Sequence, residues 1–262
     1  MQIRVALLPQ LAGDTSNAVC IVIDVLRATS VIATLFDRGC PIVFTAPSHD
    51  LARSFAGKRG YCLCGETAGE KEPDFDYGNS PIEFSKLDFT NRPVVISTTN
   101  GTRAVAAVAS APVVLLGAAI NRMAVARAAW MAATQTDANT RDIVIVCSGT
   151  DRQFTLEDAT VAGIYVEAIH GMAGPWTLPD ISDSAIACRR LWQTEPNIVR
   201  GWMEGVHARN LGDRGYGEDI GYCAALDVMD HVPTLVSSES DSDLVGIPKV
   251  ACPVMLVNSS SV

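Results

Sequence analysis

Short runs of Val, Ile and Leu recur along this chain, and most close on a polar turn that opens a stretch with helical spacing. The clearest is Val19–Asp24 (VCIVID), which leads into a helix predicted near Ala28–Asp37. Pro41–Thr45 precedes a helix around His49–Ala56, and Tyr61–Gly65 follows it. Pro93–Thr98 leads into Thr102–Val108, Val113–Gly117 into Arg122–Ala133, and Asp142–Cys147 into Leu156–Ile169. The N-terminal MQIRVALLPQ also reads as a strand. Continuous rather than alternating apolar runs belong to strands buried on both faces. Their alternation with helices is the pattern of a parallel sheet covered on both sides. The expected fold is α/β: three layers, a mostly parallel sheet with helices on both faces.

Beyond about residue 170 the pattern changes. Residues 180–230 carry helical spacing with few strand runs, and His231–Leu235 and Pro248–Met255 read as late strands. Ser237–Asp243 is a polar loop, and Asn258–Val262 reads as a frayed tail. The organisation expected is an α/β part over 1–175 and a more helical C-terminal part over 176–262 that completes the fold. Residues 66–80 form a long Gly- and Asp-rich connection where a strand ends, the kind of loop that tends to be functional or mobile.

Composition narrows the partners. The 262 residues are 48% hydrophobic and 19% charged, with a net charge of -9; the isoelectric point is about 4.9 and mean hydropathy +0.21. Such a chain buries a sizeable core. Its acidity speaks against nucleic acid or an anionic membrane as partner. A small anion remains admissible if cations cluster locally, because surface fields fade over about 8 Å at physiological salt. The eight cysteines lie mostly inside apolar runs and form no disulfide or zinc framework. No signal peptide is visible, and no apolar run approaches the roughly 20 residues that span a bilayer. A cytoplasmic protein is expected, and a homo-oligomer is compatible with all of this.

In a doubly wound sheet, ligands bind at the carboxyl ends of the strands. Asp24 and Arg27 follow the first buried run; Glu66 follows Tyr61–Gly65. Thr99, Asn100, Gly101, Thr102 and Arg103 follow Pro93–Thr98, and Asn121 and Arg122 follow Val113–Gly117. Ser148, Gly149, Asp151 and Arg152 follow Asp142–Cys147. Arginine's planar fork grips phosphate and carboxylate oxygens. Carboxylates at the same edge would repel such an anion unless a hard cation lies between, and Mg²⁺ suits that task. The Thr99–Thr102 loop opens a helix, so its backbone N–H groups favour an anion, and Gly101 permits close approach.

Duller readings stand beside these. Asp24 and Thr102 suit helix caps, Glu157 and Asp158 suit a helix first turn regardless of function, and Asp74 and Asp76 read as solvated. The four histidines share no metal spacing and read as surface or structural residues. Familiar machines are excluded. Cys147 and Arg152 are one residue too close for a cysteine phosphatase loop, and Asp24 lacks the second aspartate two positions on that haloacid dehalogenases use. Neither GxxxxGK[ST], GxGxxG nor GxSxG occurs.

Taken together, IDVLRATS (Ile23–Ser30), Gly65-Glu66, GNSP (Gly78–Pro81), TTNGTRA (Thr98–Ala104), FTLEDATVAG (Phe154–Gly163) and RNLGDRGYGEDIGYC (Arg209–Cys223) form an ordered set. The set resembles the 2-phosphosulfolactate phosphatase family over nearly the whole chain. That resemblance implies a Mg²⁺-dependent hydrolysis of 2-phospho-3-sulfolactate to 3-sulfolactate and phosphate, a step toward coenzyme M in methanogens, although members also occur in organisms without that cofactor. The family's motif positions fall on Asp24, Arg27, Glu66, Asn79, Ser80, Asn100, Gly101, Thr102, Glu157, Asp158 and Asp219. Arg152 lies in a segment, VCSGTDRQF, that departs from the apolar turn expected there.

The expected division of labour is then as follows. Asp24 and Glu66, with Glu157 and Asp158, hold Mg²⁺. Asp24, Arg27 and Glu66 carry the chemistry. Arg27 and the Asn100–Thr102 backbone hold the phosphate, and Arg103 or Arg122 meets the substrate's carboxylate or sulfonate. Asn79, Ser80, Asn121, Ser148 and Gly149 complete the binding set. Phosphatases of other 2-hydroxy-acid phosphates, and a non-catalytic binder of a phosphorylated metabolite, stay open as alternatives.

Overall fold

The structure, a computed structural model, describes residues 1–135, 140–174, 178–195, 197–236 and 254–258. Among the described residues eleven strands form one sheet. In chain order these are β1 (Gln2–Ala6), β2 (Ala18–Ile23), β3 (Val43–Thr45), β4 (Cys62–Thr67), β5 (Glu70–Lys71), β6 (Val94–Ser97), β7 (Val113–Gly117), β8 (Asp142–Cys147), β9 (Asp180–Ile181), β10 (Pro233–Val236) and β11 (Val254–Asn258). Across the sheet the order is β5-β4-β6-β3-β11-β10-β7-β2-β8-β1-β9. Helices α1 (Ala28–Asp37), α2 (His49–Arg59), α3 (Pro81–Ser85), α4 (Gly101–Ala107), α5 (Arg122–Thr134) and α6 (Leu156–Met172) follow the N-terminal strands. Four more, α7 (Asp183–Thr194), α8 (Ile198–Met203), α9 (Val206–Leu211) and α10 (Gly217–Cys223), make the C-terminal third mainly helical.

The unbroken apolar run of β2 has a direct cause. Val19, Ile21 and Ile23 enter the core that α5, α6 and α7 cover, whereas Cys20 and Val22 enter the core that holds α1 and α4. A strand with helices on both faces has no solvent side on which to place polar residues. β2 pairs in parallel with β7 and β8, β1 with β8, and β6 with β3 and β4. This is the mostly parallel α/β sheet with helices around it that the periodicity predicts.

Two features depart from a plain doubly wound sheet. An antiparallel hairpin, β10–β11, is inserted between β3 and β7, joining two parallel halves in the middle of the sheet. The sheet is also curled: β2 and β4 stand six places apart in it, about 29 Å if it were flat, yet Asp24 and Glu66 at their carboxyl ends line one cavity. Cys62, Cys64, Val94 and Ile96 from one half share a single core with Cys20, Val22, Val144 and Val146 from the other, around α1 and α4. Twist accumulates across many strands, and a sheet this wide must curl. The curl matters for function, because it turns the carboxyl ends of β2 and β4 toward one another.

The expected late strand Pro248–Met255 lies in part, and the expected loop Ser237–Asp243 wholly, outside the described residues. Asn258, expected in a frayed tail, closes β11, pairs with Pro233 and accepts the Val232 N–H at 3.0 Å. Within the connection 66–80, β4 and β5 form a tight hairpin. Its two turn residues, Ala68 (φ 50°) and Gly69 (φ 89°), both adopt the positive φ that the two-residue hairpin turn requires.

Candidate active site

Strand register sets the level at which the polar residues emerge. Ile23 pairs with both Gly117 and Cys147, so β2, β7 and β8 end together, and Gly65 pairs with Ser97, the last residue of β6, so Glu66 emerges one residue past that level. Beyond those ends lies a cavity of about 120 Å³. A water needs roughly 10–15 Å³ of such volume, so there is room for on the order of ten waters or a metabolite of that size.

Six of the predicted residues line it: Asp24, Arg27, Glu66, Asn79, Thr99 and Asn100. Asp24 is buried at the end of β2, where its Oδ1 accepts the Ala28 N–H at 3.3 Å. α4 packs directly against it. A Cβ on Gly101 would stand 2.6 Å from Asp24 Oδ2 and 2.7 Å from the Ala28 Cβ, so only glycine fits there. Glu66, next to last in β4, sits in a cradle of donors, with Thr99 N–H at 2.8 Å from Oε1 and Gly69 N–H at 2.5 Å from Oε2. The Thr99 amide, expected to greet a substrate anion, is thus engaged by the protein's own carboxylate. Gly65 lets the strand come this close. Its φ is 145°, and a Cβ would meet the Ser97 carbonyl oxygen at 1.9 Å.

Arg27 is buried and held on three sides. Nη1 donates to Asp219 Oδ2 at 2.7 Å, Nη2 donates to the Gly69 carbonyl at 3.0 Å, and the guanidinium lies 4.0 Å from the Tyr216 ring centroid. Ser80 Oγ donates to the other oxygen of Asp219 at 2.7 Å. Each nitrogen of Arg27 retains hydrogens for a further acceptor. Asn79 is buried, and its Oδ1 has no partner among the described residues.

A second group stands directly behind the cavity. Asp158, in the first turn of α6, accepts from Val25 N–H (3.0 Å), Ser148 Oγ (3.1 Å) and Gly149 N–H (3.0 Å). Ser148 and Gly149 therefore position a carboxylate rather than open onto the cavity. Glu157, also buried, binds His207 Nδ1 through Oε1 at 2.5 Å. The electrostatics are strained by burial. Desolvation drives the Asp24 carboxyl above the usual carboxylate range; His207 pulls it back, and the charge on Glu66 pushes it further up. Desolvation likewise raises Asp158, reinforced by Asp24 and then Glu157. For His207 burial acts to lower the pKa, but the hydrogen bond and charge of Glu157, with Asp24 and Asp158 behind it, prevail and raise it.

Other predicted residues lie elsewhere. Thr102 is buried and returns its hydroxyl to the Thr98 carbonyl (2.9 Å), and Arg103 is exposed outside the cavity. Asn121 is a structural clamp, accepting the Ala118 N–H at 2.8 Å and donating to the His231 carbonyl at 3.0 Å. Arg122 pairs with Asp227 rather than facing the cavity. Arg152 is exposed, while its neighbours Thr150 and Asp151 line the cavity.

From the C-terminal third the sequence reading named Asp219 but not the residues that line the cavity, and it took the histidines as surface or structural. His207 and Asn210 of α9, and Arg214 in the wide turn Gly212–Tyr216, complete the lining. No short-range spacing announces them, because the residues they meet at the site lie far away in sequence, Glu157 fifty residues before His207. The one available signal was RNLGDRGYGED itself, polar and glycine-rich inside a helical stretch. Among the described residues no three His, Cys, Asp or Glu side chains converge as a ready-made metal cage, and no helix is long and apolar enough to cross a membrane.

A curled α/β sheet that sets buried carboxylates and arginines around a metabolite-sized cavity defines an enzyme acting on a small anion. The family model for 2-phosphosulpholactate phosphatase matches residues 6–238, and the chain belongs to that family. A protein of Caldanaerobacter subterraneus subsp. tengcongensis, named probable 2-phosphosulfolactate phosphatase, is 34% identical over 226 residues, covering 85% of this chain and 89% of its own. Proteins of the same name from Gloeobacter violaceus (34% over 239 residues, 89% and 94% covered) and Clostridium novyi (31% over 221 residues, 83% and 88% covered) are similarly related.

Proposed function

We propose that this chain is a cytoplasmic, Mg²⁺-dependent phosphoric monoester hydrolase that converts 2-phospho-3-sulfolactate and water to 3-sulfolactate and phosphate. The observation that carries the reading is the pairing, on one small cavity, of two buried carboxylates, Asp24 and Glu66, with the buried guanidinium of Arg27. A pocket that only bound an anion would gain nothing from the carboxylates.

The donor set fits Mg²⁺. This ion takes one or two carboxylates, neutral oxygens and waters, and needs no all-protein cage. Asp24 and Glu66 supply the carboxylates, and the unpartnered Oδ1 of Asn79 is a neutral oxygen of the right kind. The repulsion that Glu66 exerts on Asp24 is what a cation would relieve. When bound, the ion supplies positive charge to the phosphoryl oxygens. Glu157 is engaged by His207, and Asp158 by three protein donors, so both act from behind the site in this reading.

The chain's own residues then do the following. Arg27, aligned by Asp219, Gly69 and Tyr216, grips the phosphoryl group and neutralises charge that builds on its oxygens. Arg214 lines the cavity and makes no ion pair or hydrogen bond among the described residues, so it takes the substrate's carboxylate or sulfonate. Asn210 stands beside it. The attacking group is a water or the Asp24 carboxylate. The stereochemical course at a chirally labelled phosphoryl group separates them: direct attack by water inverts phosphorus, whereas passage through an aspartyl phosphate retains its configuration.

The test is phosphate release from 2-phospho-3-sulfolactate, 2-phospholactate and 2-phosphoglycolate. The sulfonated ester should be cleaved with the highest kcat/KM, chelation by EDTA should abolish release, and added Mg²⁺ should restore it. Equal rates across the panel would refute the substrate assignment, and full activity in EDTA would refute the metal.

A further inference from the structure

His207 stands apart from the rest of the cavity lining, because its ring is bound on one edge only. Nδ1 meets Glu157 Oε1 at 2.5 Å, across 50 residues of sequence. The Glu157 side chain is 2% exposed and that of His207 25%. An ionised carboxylate can only accept, so Nδ1 carries the hydrogen and the tautomer is set. Nε2, on the opposite edge of the ring, has no partner among the described residues, and the ring lines the cavity beside Asp24 and Arg27. A buried carboxylate that holds one nitrogen of a ring on the cavity wall is how proteins orient an imidazole for proton transfer. The mechanism above leaves one need unmet. A secondary alkoxide is a poor leaving group; Arg27 does not give up a proton, and in that reading Asp24 and Glu66 hold the cation while Asp158 is engaged by three protein donors behind the cavity.

We propose that His207 is the general acid of the reaction and that Glu157 is its positioning residue. This inference rests on the phosphatase reading. As the ester P–O bond breaks, its electron pair moves onto the substrate's 2-oxygen, which takes the proton from His207 Nε2 and leaves as a hydroxyl. The imidazole is left neutral with Nδ1–H still on Glu157. The water that attacks phosphorus, on the ester directly or on an aspartyl phosphate, contributes its oxygen and one hydrogen to the released phosphate, and its second proton recharges the ring.

Leaving-group dependence tests this without relying on titration. The wild type, His207→Asn and Glu157→Gln are compared, with Mg²⁺ present, on 2-phospho-3-sulfolactate and on 4-nitrophenyl phosphate, whose phenolate departs unprotonated. Asn retains an amide that can reach Glu157 but has no acid. In His207→Asn, kcat on the alkyl ester should fall about 10²–10⁴-fold and on the aryl ester about tenfold or less. Glu157→Gln should show a smaller loss with the same preference for the alkyl ester. Equal losses on both esters in both variants would overturn the role, pointing to a nucleophilic or purely structural histidine; unchanged rates would overturn it as well. A wild type that releases phosphate from neither ester would reject the phosphatase reading itself, and this role with it. Should His207→Asn not fold, the Glu157→Gln pair of rates decides alone.

Discussion

Two arginines make an instructive pair. Arg27 and Arg122 each follow a buried strand by a few residues, and each reaches an aspartate from the C-terminal third, Asp219 and Asp227. In sequence they carry the same signal. In the fold, the Arg27 and Asp219 side chains are 2% and 3% exposed, and those of Arg122 and Asp227 are 22% and 28% exposed. Around Arg27 lie an aromatic ring, a carbonyl and a cavity that also holds Asp24. Around Arg122 the Met123 N–H joins the same aspartate at 2.7 Å, so that pair pins the start of α5. An arginine after a strand therefore marks the sheet edge, whereas its burial and neighbours decide whether it serves chemistry or architecture.

The comparison predicts unequal costs. Arg27→Ala leaves Asp219 buried without its cation, and should lose about 3–5 kcal/mol of stability in denaturant titrations, together with activity. A loss below that of a surface pair would show that Asp219 finds other partners. Arg214→Ala removes only a charged contact to substrate. It should raise KM for the sulfonated ester about tenfold while leaving the melting temperature unchanged; an unchanged KM would return the second anionic group to another residue. Smaller still is Arg122→Ala, with about 1 kcal/mol or less of destabilisation and unaltered kcat/KM. Lost activity there would erase the distinction drawn between the two arginines.

The buried acids add a pH dependence. Asp24 and Asp158 have raised pKa values when folded, so between the ordinary carboxylate range and their raised range the native state binds more protons than the unfolded chain. Stability must then fall as pH rises. His207 acts in the same sense, since its raised folded pKa gives stability below its unfolded value that is lost as pH increases. The melting temperature of metal-free protein should drop by a few degrees from about pH 5 to about pH 8, and Mg²⁺ should recover part of it at the upper end. A rise over that window in EDTA would contradict the burial argument.

Much of this was legible in the sequence, and the reasons differ by residue. The α/β alternation was readable because strands buried on both faces must be apolar throughout, as β2 is. Asp24, Glu66 and Asn100 were readable because register places strand ends at one edge. The β10–β11 insertion was not, since a short antiparallel hairpin looks the same at a sheet's centre as at its rim. Nor were His207 and Arg214, which arrive from helices whose path depends on tertiary packing. Arg122 and Asn121 carried a genuine edge signal, but their partners, Asp227 and the His231 carbonyl, lie more than a hundred residues away. Local pattern tells what leaves a strand, and long-range pairing tells where it points.

The central claim is that Asp24, buried at the end of β2, carries phosphoryl-transfer chemistry at a cost in stability. Turnover and melting temperature of Asp24→Asn, measured side by side on 2-phospho-3-sulfolactate with Mg²⁺, test it most directly. The account predicts turnover reduced about 10²–10³-fold, with a melting temperature in the absence of metal equal to or above that of the wild type. A folded variant that turns over at the wild-type rate would contradict it.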